Sequence, residues 1–330
     1  MNFPVIAKEF RNGNVENIHQ GVICVLDKNK KVVFKKGDIT QPFYYRSAMK
    51  PIQAIPVFSS NIINKYQLTG EETALFTASQ RGEDYHEKAL SSLAEKLGIE
   101  EKRLVCNESY PLNAAPKEKY IASHKSRRKL LHNCAGKHLG FLANAKEKDL
   151  SVDNYHEMSH PLQQDVLDYV SILSETPKDR IITGLDGCGV PVHAVPLQNM
   201  AISYLKFADI LLINNASLRV TVNQITQVMN NFPNIVASHQ FICSTLLEDR
   251  NIIAKGGAQG VYCLALRKEK ISIAIKVLSG TEHLWPLLVA KILEKFQYQN
   301  KATIDRLYAL KDINISNDSG KIAGHTEIYL

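Results

Sequence analysis

GVICVLDKNKKVVF, residues 21–34, sets one apolar run before a polar Asp27-Lys-Asn-Lys30 break and a second run after it. Val22 to Leu26 and Val32 to Phe34 therefore read as two strands of a hairpin around that turn. A second such unit lies toward the other end of the chain. Val261 to Leu266 and Ile271 to Val277 flank Arg267-Lys-Glu-Lys270, and both runs are rich in the residues that suit a pleated, half-buried surface. Between the hairpins the apolar period is helical. Leu90, Leu93 and Leu97 share one face; Leu162, Val166, Tyr169, Val170 and Leu173 share another, which begins at Pro161 in the favoured first-turn position. Strand pairs at both ends with helices between them predict an α/β (α+β) fold, a mixed, mainly antiparallel sheet built from both chain ends and covered by helices. Strands are expected near 18–36 and 258–278 and helices near 45–240, with no repeat or low-complexity linker to divide residues 1–330. Leu310 to Leu330 reads as a final strand or tail around a Ser-Asn-Asp-Ser-Gly turn at Ser316 to Gly320.

A chain of 330 residues with 45% hydrophobic and 22% charged residues can bury a sizeable core and is not of a disordered type. No apolar run approaches the roughly 20 residues of a membrane span. Lys8 and Glu9 stand where a signal peptide would carry its apolar core, so a cytoplasmic protein is expected. In that setting the six cysteines are reduced thiols or metal ligands rather than a disulfide framework. Cys24 and Cys263 fall inside apolar strands and read as inert, buried thiols. The net charge of +7 is spread along the chain. Its densest cluster, Lys125-Ser-Arg-Arg-Lys129, lacks interleaved aromatics and reads as a solvated helix face, so no nucleic-acid partner is expected.

The stretch Tyr44-Tyr-Arg-Ser-Ala-Met-Lys-Pro-Ile-Gln-Ala-Ile-Pro56 raises a chemical question. Proline has no N–H and its ring clashes with the carbonyl four residues back, so Pro51 is comfortable only in a helix's first turn. A helix starting at or just before Ser47 puts its hydroxyl at the positive end of the dipole, with Lys50 three residues on along the same face. A serine alcohol is a poor nucleophile until a neighbour takes its proton, and lysine does so only when burial or nearby cations pull its pKa down from about 10.4. A lone Ser-x-x-Lys is also what an N-cap serine and a surface lysine produce.

Four further stretches bear on that choice. Thr77-Ala-Ser-Gln-Arg-Gly-Glu83 supplies a second serine, Ser79. Leu131-His-Asn-Cys-Ala-Gly-Lys-His138 has Cys134 and Lys137 at i and i+3 near a helix start capped by Asn133. Thr183-Gly-Leu-Asp-Gly-Cys-Gly-Val-Pro191 holds Asp186 and Cys188 in a glycine-rich loop, and Ala254-Lys-Gly-Gly-Ala-Gln-Gly-Val261 places Lys255 just before a strand. Five motifs in this order resemble the Rhizobium-type, thermolabile L-asparaginase family, called asparaginase II in bacterial genomes, from about residue 20 to the C-terminal tail.

That resemblance implies a fold related to serine β-lactamases and glutaminases, and residues 1–330 as a single asparaginase domain. It implies hydrolysis of L-asparagine to L-aspartate and ammonia by a homodimer. Its two Ser-Lys pairs fall on Ser47 with Lys50 and on Ser79 with Lys255. Its zinc site falls on Cys134, Lys137 and Cys188, an unusual set because the lysine must lose a proton before it coordinates. Zinc is expected to hold the loop or position substrate rather than to make the attacking hydroxide. For a free amino acid, Asp186 or Glu83 would face the ammonium and Arg46 or Arg81 the α-carboxylate, with Asn133 and His138 completing the substrate-binding set. Ser47 would attack the amide with Lys50 as base, while Lys255 and Ser79 relay a proton to the leaving nitrogen. Arg81, Gln259 and Ser279 depart from the family's pattern, where a small hydroxyl residue, glutamate and aspartate are usual. Two other readings stay open, a β-lactam- or peptide-directed acyl transferase and a non-catalytic amino-acid or zinc sensor. Trp285, Leu284, Leu287 and Leu288 form an apolar face for a subunit interface or a core helix.

Overall fold

The computed structural model describes residues 3–330. Its strands in chain order are β1 (Val5–Arg11), β2 (Asn14–Leu26), β3 (Val32–Lys36), β4 (Pro42–Tyr44), β5 (Ile182–Leu185), β6 (Pro191–Pro196), β7 (Ile252–Gly257), β8 (Val261–Leu266), β9 (Ile271–Val277), β10 (Asn314–Ser316) and β11 (Ile322–Ile328). The chain clusters into two compact units, one of residues 1–48, 195–208 and 240–330, the other of residues 49–194 and 209–239.

The first unit is an antiparallel sheet in the order β10-β11-β1-β2-β9-β8-β7, with β3 also paired to β2. Both chain ends therefore contribute, as the two hairpins predict. The element that joins them is the 13-residue strand β2. Its first half pairs with β1, and its second half lies between β3 and β9, Cys24 facing Ala274 and Val25 facing Ile273. Burial follows the same division, exposed from Asn14 to Gln20 apart from a half-buried His19 and buried from Gly21 onward. The Asp27–Lys30 turn forms as read, with the Asp27 carbonyl accepting from the Lys30 N–H at 2.9 Å. Helix Leu197–Ala208 packs on β2, β8 and β9. Cys24 and Cys263 are buried, and burial pushes the Cys24 thiol up to about 12, out of range for chemistry. Trp285, Leu284, Leu287 and Leu288 are all at most 1% exposed, with Trp285 against the Tyr262 ring, so this face is core and presents nothing to a second subunit.

The second unit is helical apart from the β5–β6 hairpin. Helices Asp84–Leu97 and Pro161–Ser174 bury the leucine and valine stripes that their periodicity marks. The Lys125–Lys129 cluster is not a helix. Arg128 lies in a bridge to Ser109 and pairs with Glu87 and Glu101, both at 2.9 Å, because carboxylates from elsewhere in the unit meet it there. No helix among the described residues is long and apolar enough to cross a membrane.

Candidate active site

Pro51 shapes the local backbone as its missing N–H dictates. Arg46–Met49 is a 3-10 turn, followed by a short helix Lys50–Gln53 with the proline in its first turn. A regular α-helix through Ser47 would press the proline ring against the Ser47 carbonyl, so the tighter turn takes its place. The unit boundary falls between Ala48 and Met49, which leaves Ser47 in the first unit and Lys50 in the second.

In the second unit the Lys50 amine is fully buried. It donates to the Ala78 carbonyl at 2.5 Å, the Ser79 hydroxyl at 3.0 Å and the Asn133 carbonyl at 3.1 Å. Burial, with a smaller push from Lys137, moves the amine below its ordinary range, while the Cys134 and Cys188 sulfurs pull the other way. A lysine in this setting loses its proton more readily than a solvated one and sits within hydrogen-bonding reach of an alcohol.

Ser79 is held by its own backbone. It follows the 3-10 turn Leu75–Thr77, and its N–H donates to the Val236 carbonyl at 2.8 Å. Helix Ala135–Glu147 lies directly on that turn because Gly136 has no side chain; a Cβ there would sit 2.3 Å from the Leu75 carbonyl oxygen. Gly136→Ala is expected to cost about 1–3 kcal/mol of stability through that backbone clash, read as a shift in the urea midpoint with an unchanged slope.

The same helix start carries the thiols. Cys134, Lys137 and Cys188 are all at most 3% exposed, and the Lys137 amine donates to the Cys188 sulfur at 3.0 Å. A hydrogen bond from the Cys188 thiol holds Cys134 well below the usual thiol range, against burial and with help from Lys50 and Lys137. Cys188 correspondingly keeps its proton, since two thiolates in contact would repel. Burial opposes a charge on Lys137, but the two sulfurs and Asp186 outweigh it and raise its ammonium. Asp186 caps the β5–β6 turn, accepting from the Gly187 N–H at 2.9 Å, with its other oxygen 3.8 Å from the Cys188 sulfur. Cys134 takes the N-cap position with no side-chain cap, so the Asn133 side chain does not serve there as its position suggested; the His132 ring accepts from the Cys134 N–H at 3.1 Å, and the Asn133 carbonyl accepts from Lys50.

His138 is fully buried on this helix. Tyr155 accepts from the Val105 N–H at 2.9 Å and its hydroxyl also meets His138 Nδ1 at 2.8 Å, which engages that side of the imidazole. Nε2 meets no protein hydrogen-bond partner among the described residues. Arg81 and Glu83 are tied through a residue the sequence did not flag. Arg81 donates to the Asn113 side-chain oxygen at 2.6 Å, and the Asn113 amide donates to Glu83 at 2.6 Å. Gln80 was missed as well. Its amide donates to the Leu131 and His132 carbonyls, both at 2.9 Å, and accepts from the Gly82 N–H, fastening the Ser79 loop to the Cys134 segment.

In the first unit, Lys255 lies inside β7 and not before a strand; its amine is buried and donates to the Gly256 carbonyl at 2.9 Å. The end of β7 approaches the Ser47 turn closely. A Cβ on Gly257 would lie 2.3 Å from the Tyr45 carbonyl oxygen and 3.1 Å from the Ala48 nitrogen. Ser279 meets His19 at 3.2 Å. The structure thus gathers Lys50, Ser79, Asn133, His138 and the cysteine-lysine trio in one unit, and brings the Ser47 turn to the strand of Lys255 in the other.

A buried amine bonded to a serine alcohol is equipment for acyl transfer from an amide, and comparison with known proteins supports amidohydrolase chemistry in general. The chain belongs to the L-asparaginase II family, whose model matches residues 7–328. A search of curated proteins returned no match. Among solved structures, a β-lactamase from Mycobacterium bovis is similar at 12% identity and a TM-score of 0.43, over 84% of this chain and 94% of that one. A Bacillus glutaminase is similar at 13% identity and a TM-score of 0.41, over 85% of this chain and 92% of that one.

Proposed function

We propose that this protein hydrolyses the side-chain amide of L-asparagine to L-aspartate and ammonia through a serine ester. The observation that carries the reading is the buried Lys50 amine in hydrogen bond with Ser79 at 3.0 Å. Lys50 takes the hydroxyl proton as the serine oxygen bonds to the amide carbon. The C–N bond then breaks as the same proton is returned to nitrogen, and ammonia leaves. Water opens the ester by the reverse sequence, giving aspartate and the free serine. The attacking hydroxyl in this reading is that of Ser79. The Ser-x-x-Lys spacing favours a second assignment, attack by Ser47 with Ser79 and Lys255 moving the proton. His138, whose Nδ1 is engaged by Tyr155, leaves its Nε2 to meet a polar atom of the substrate. Ammonia release from purified protein should be at least tenfold faster with L-asparagine than with L-glutamine. Tight asparagine binding with no ammonia would select the sensor reading, and acylation by a β-lactam the transferase reading.

The trio of Cys134, Cys188 and Lys137 fits zinc. Two buried sulfurs, one already acidic, and an amine in contact with them offer soft and borderline donors. No group of three His, Cys, Asp or Glu arranged for a metal occurs among the described residues, so Lys137 has to serve as the third donor and give up its proton. Bound there, zinc would clamp the Asp186–Cys188 loop to the helix start and offer an open position to a substrate oxygen. About one zinc per chain is expected by elemental analysis. Cys134→Ser should lose it, and binding should weaken as the pH falls, because protons compete for all three donors.

A further inference from the structure

A cavity of about 480 Å³ in the first unit lies against the helices Ile242–Leu247 and Lys301–Leu310, and is lined by Gln240, Thr245, Glu248, Arg306, Ala309 and Leu310. None of these residues enters the hydrolytic reading. The lining holds one cation and one anion, and both reach solvent, Arg306 at 36% and Glu248 at 47% exposure. An exposed arginine–glutamate pair by itself is worth little. Here the arginine is held by something other than the glutamate. Its Nη2 donates to the Thr303 hydroxyl at 3.1 Å and to the Thr245 carbonyl at 3.4 Å. Thr303 is fully buried and donates in turn to Asp249 at 2.8 Å, on the same carboxylate oxygen that accepts from Tyr298 at 2.6 Å and Asn300 at 2.8 Å. The guanidinium is therefore oriented before any ligand arrives. The pair with Glu248 is only half made. The carboxylate comes to 3.4 Å from Nε, yet that N–H, shielded from water, forms no hydrogen bond, and Nη1 has no partner among the described residues. Gln240, on the same lining, holds left-handed backbone at φ 59°, a cost that L residues other than Asn and Asp rarely bear and that folds retain at functional positions.

We propose that this cavity binds a free α-amino acid as its zwitterion, with the carboxylate on Arg306 Nη1, the ammonium on Glu248 and the side chain toward Ala309, Leu310 and the Gln240 amide. A lone anion would meet the repulsion of Glu248 and a lone amine that of Arg306, so a lining with one charge of each sign selects a ligand that carries both. An α-amino acid has its ammonium and carboxylate on one carbon, and two protein charges 3.4 Å apart can reach both. The zwitterion has two sources, the substrate or product of the hydrolysis proposed above and an unrelated amino acid. The site's existence does not depend on that hydrolysis.

Calorimetric titration of the full chain at fixed ionic strength with L-aspartate, L-leucine, acetate and methylammonium tests it. At least one amino acid should bind, about tenfold or more tighter than acetate or methylammonium. Binding of aspartate alone assigns the site to the substrate and product of the proposed reaction, and binding of leucine assigns it to amino acids at large. Arg306→Gln and Glu248→Gln should each weaken the amino acid about tenfold or more, the effect of losing one charged hydrogen bond. Glu248→Gln carries the test should Arg306→Gln fail to fold, since the recorded contact of Glu248 is with Arg306 alone. Ser79→Ala should bind as the parent does. No heat with either amino acid, acetate or methylammonium binding as tightly, or unchanged affinity in Glu248→Gln would overturn the proposal, and so would binding lost in Ser79→Ala but kept in Glu248→Gln, which places the heat at the hydrolytic site. Ammonia release without binding that depends on Glu248 sinks this site alone, and such binding without ammonia release sinks only the hydrolytic reading.

Discussion

Lys50→Met should lower kcat for asparagine hydrolysis by about 10²–10⁴, the range that a positioned general base supplies. Methionine keeps most of the side chain's length and removes the amine that is bonded to Ser79. The Ala78 and Asn133 carbonyls lose their donor, so stability should also fall by about 1–3 kcal/mol, with cooperative unfolding retained. Lys50→Arg separates the two effects. A guanidinium offers donors to the same carbonyls yet does not deprotonate in proteins, so this variant should regain stability and remain inactive. An active Lys50→Arg protein would show that Lys50 orders the loop and moves no proton.

The second large effect lies with the serines. Ser79→Ala should abolish the ester formed with an electrophilic asparagine analogue, read by intact mass, and reduce turnover by at least about 10³, while Ser47→Ala should still be labelled. The geometry sets this order, because the recorded bond from Lys50 runs to the Ser79 hydroxyl at 3.0 Å. The opposite result, labelling of Ser79→Ala and none of Ser47→Ala, would hand the attack to Ser47 and reduce Ser79 to a proton carrier.

The hairpins of 21–34 and 261–277 were legible because their alternation and polar turns are local signals, and so were the helices whose leucines repeat on one face. β1 was not read, since the stretch Val5–Arg11 drew attention for its charges, and its place in the sheet is fixed by partners in β2 and in β11, more than 300 residues away. β7 was also not read, Lys255 being placed just before a strand, for a different reason. Its Gly256 and Gly257 weaken any strand signal, yet Gly257 is what lets the strand approach the Tyr45 carbonyl. At the site, spacing exposed only the i, i+3 relations of Ser47 to Lys50 and of Cys134 to Lys137. The bond from Lys50 to Ser79 spans 29 residues and depends on the Leu75–Thr77 turn meeting the helix at Gly136, which no window of sequence encodes. Asn113 and Gln80 act by joining loops, so their roles appear only when the loops are in place.

The long strand β2 has a bearing on how the molecule is made. A ribosome delivers β2 early and its neighbour β9 some 250 residues later, so the apolar half of β2 emerges with only β3 to cover it. The helical unit, complete by residue 239, is translated in full while the sheet still awaits its central partners. A nascent chain arrested just short of β9 should therefore hold a protease-resistant helical body and a vulnerable amino-terminal hairpin, with resistance spreading to the hairpin once the arrest point passes residue 277 plus the length of the exit tunnel.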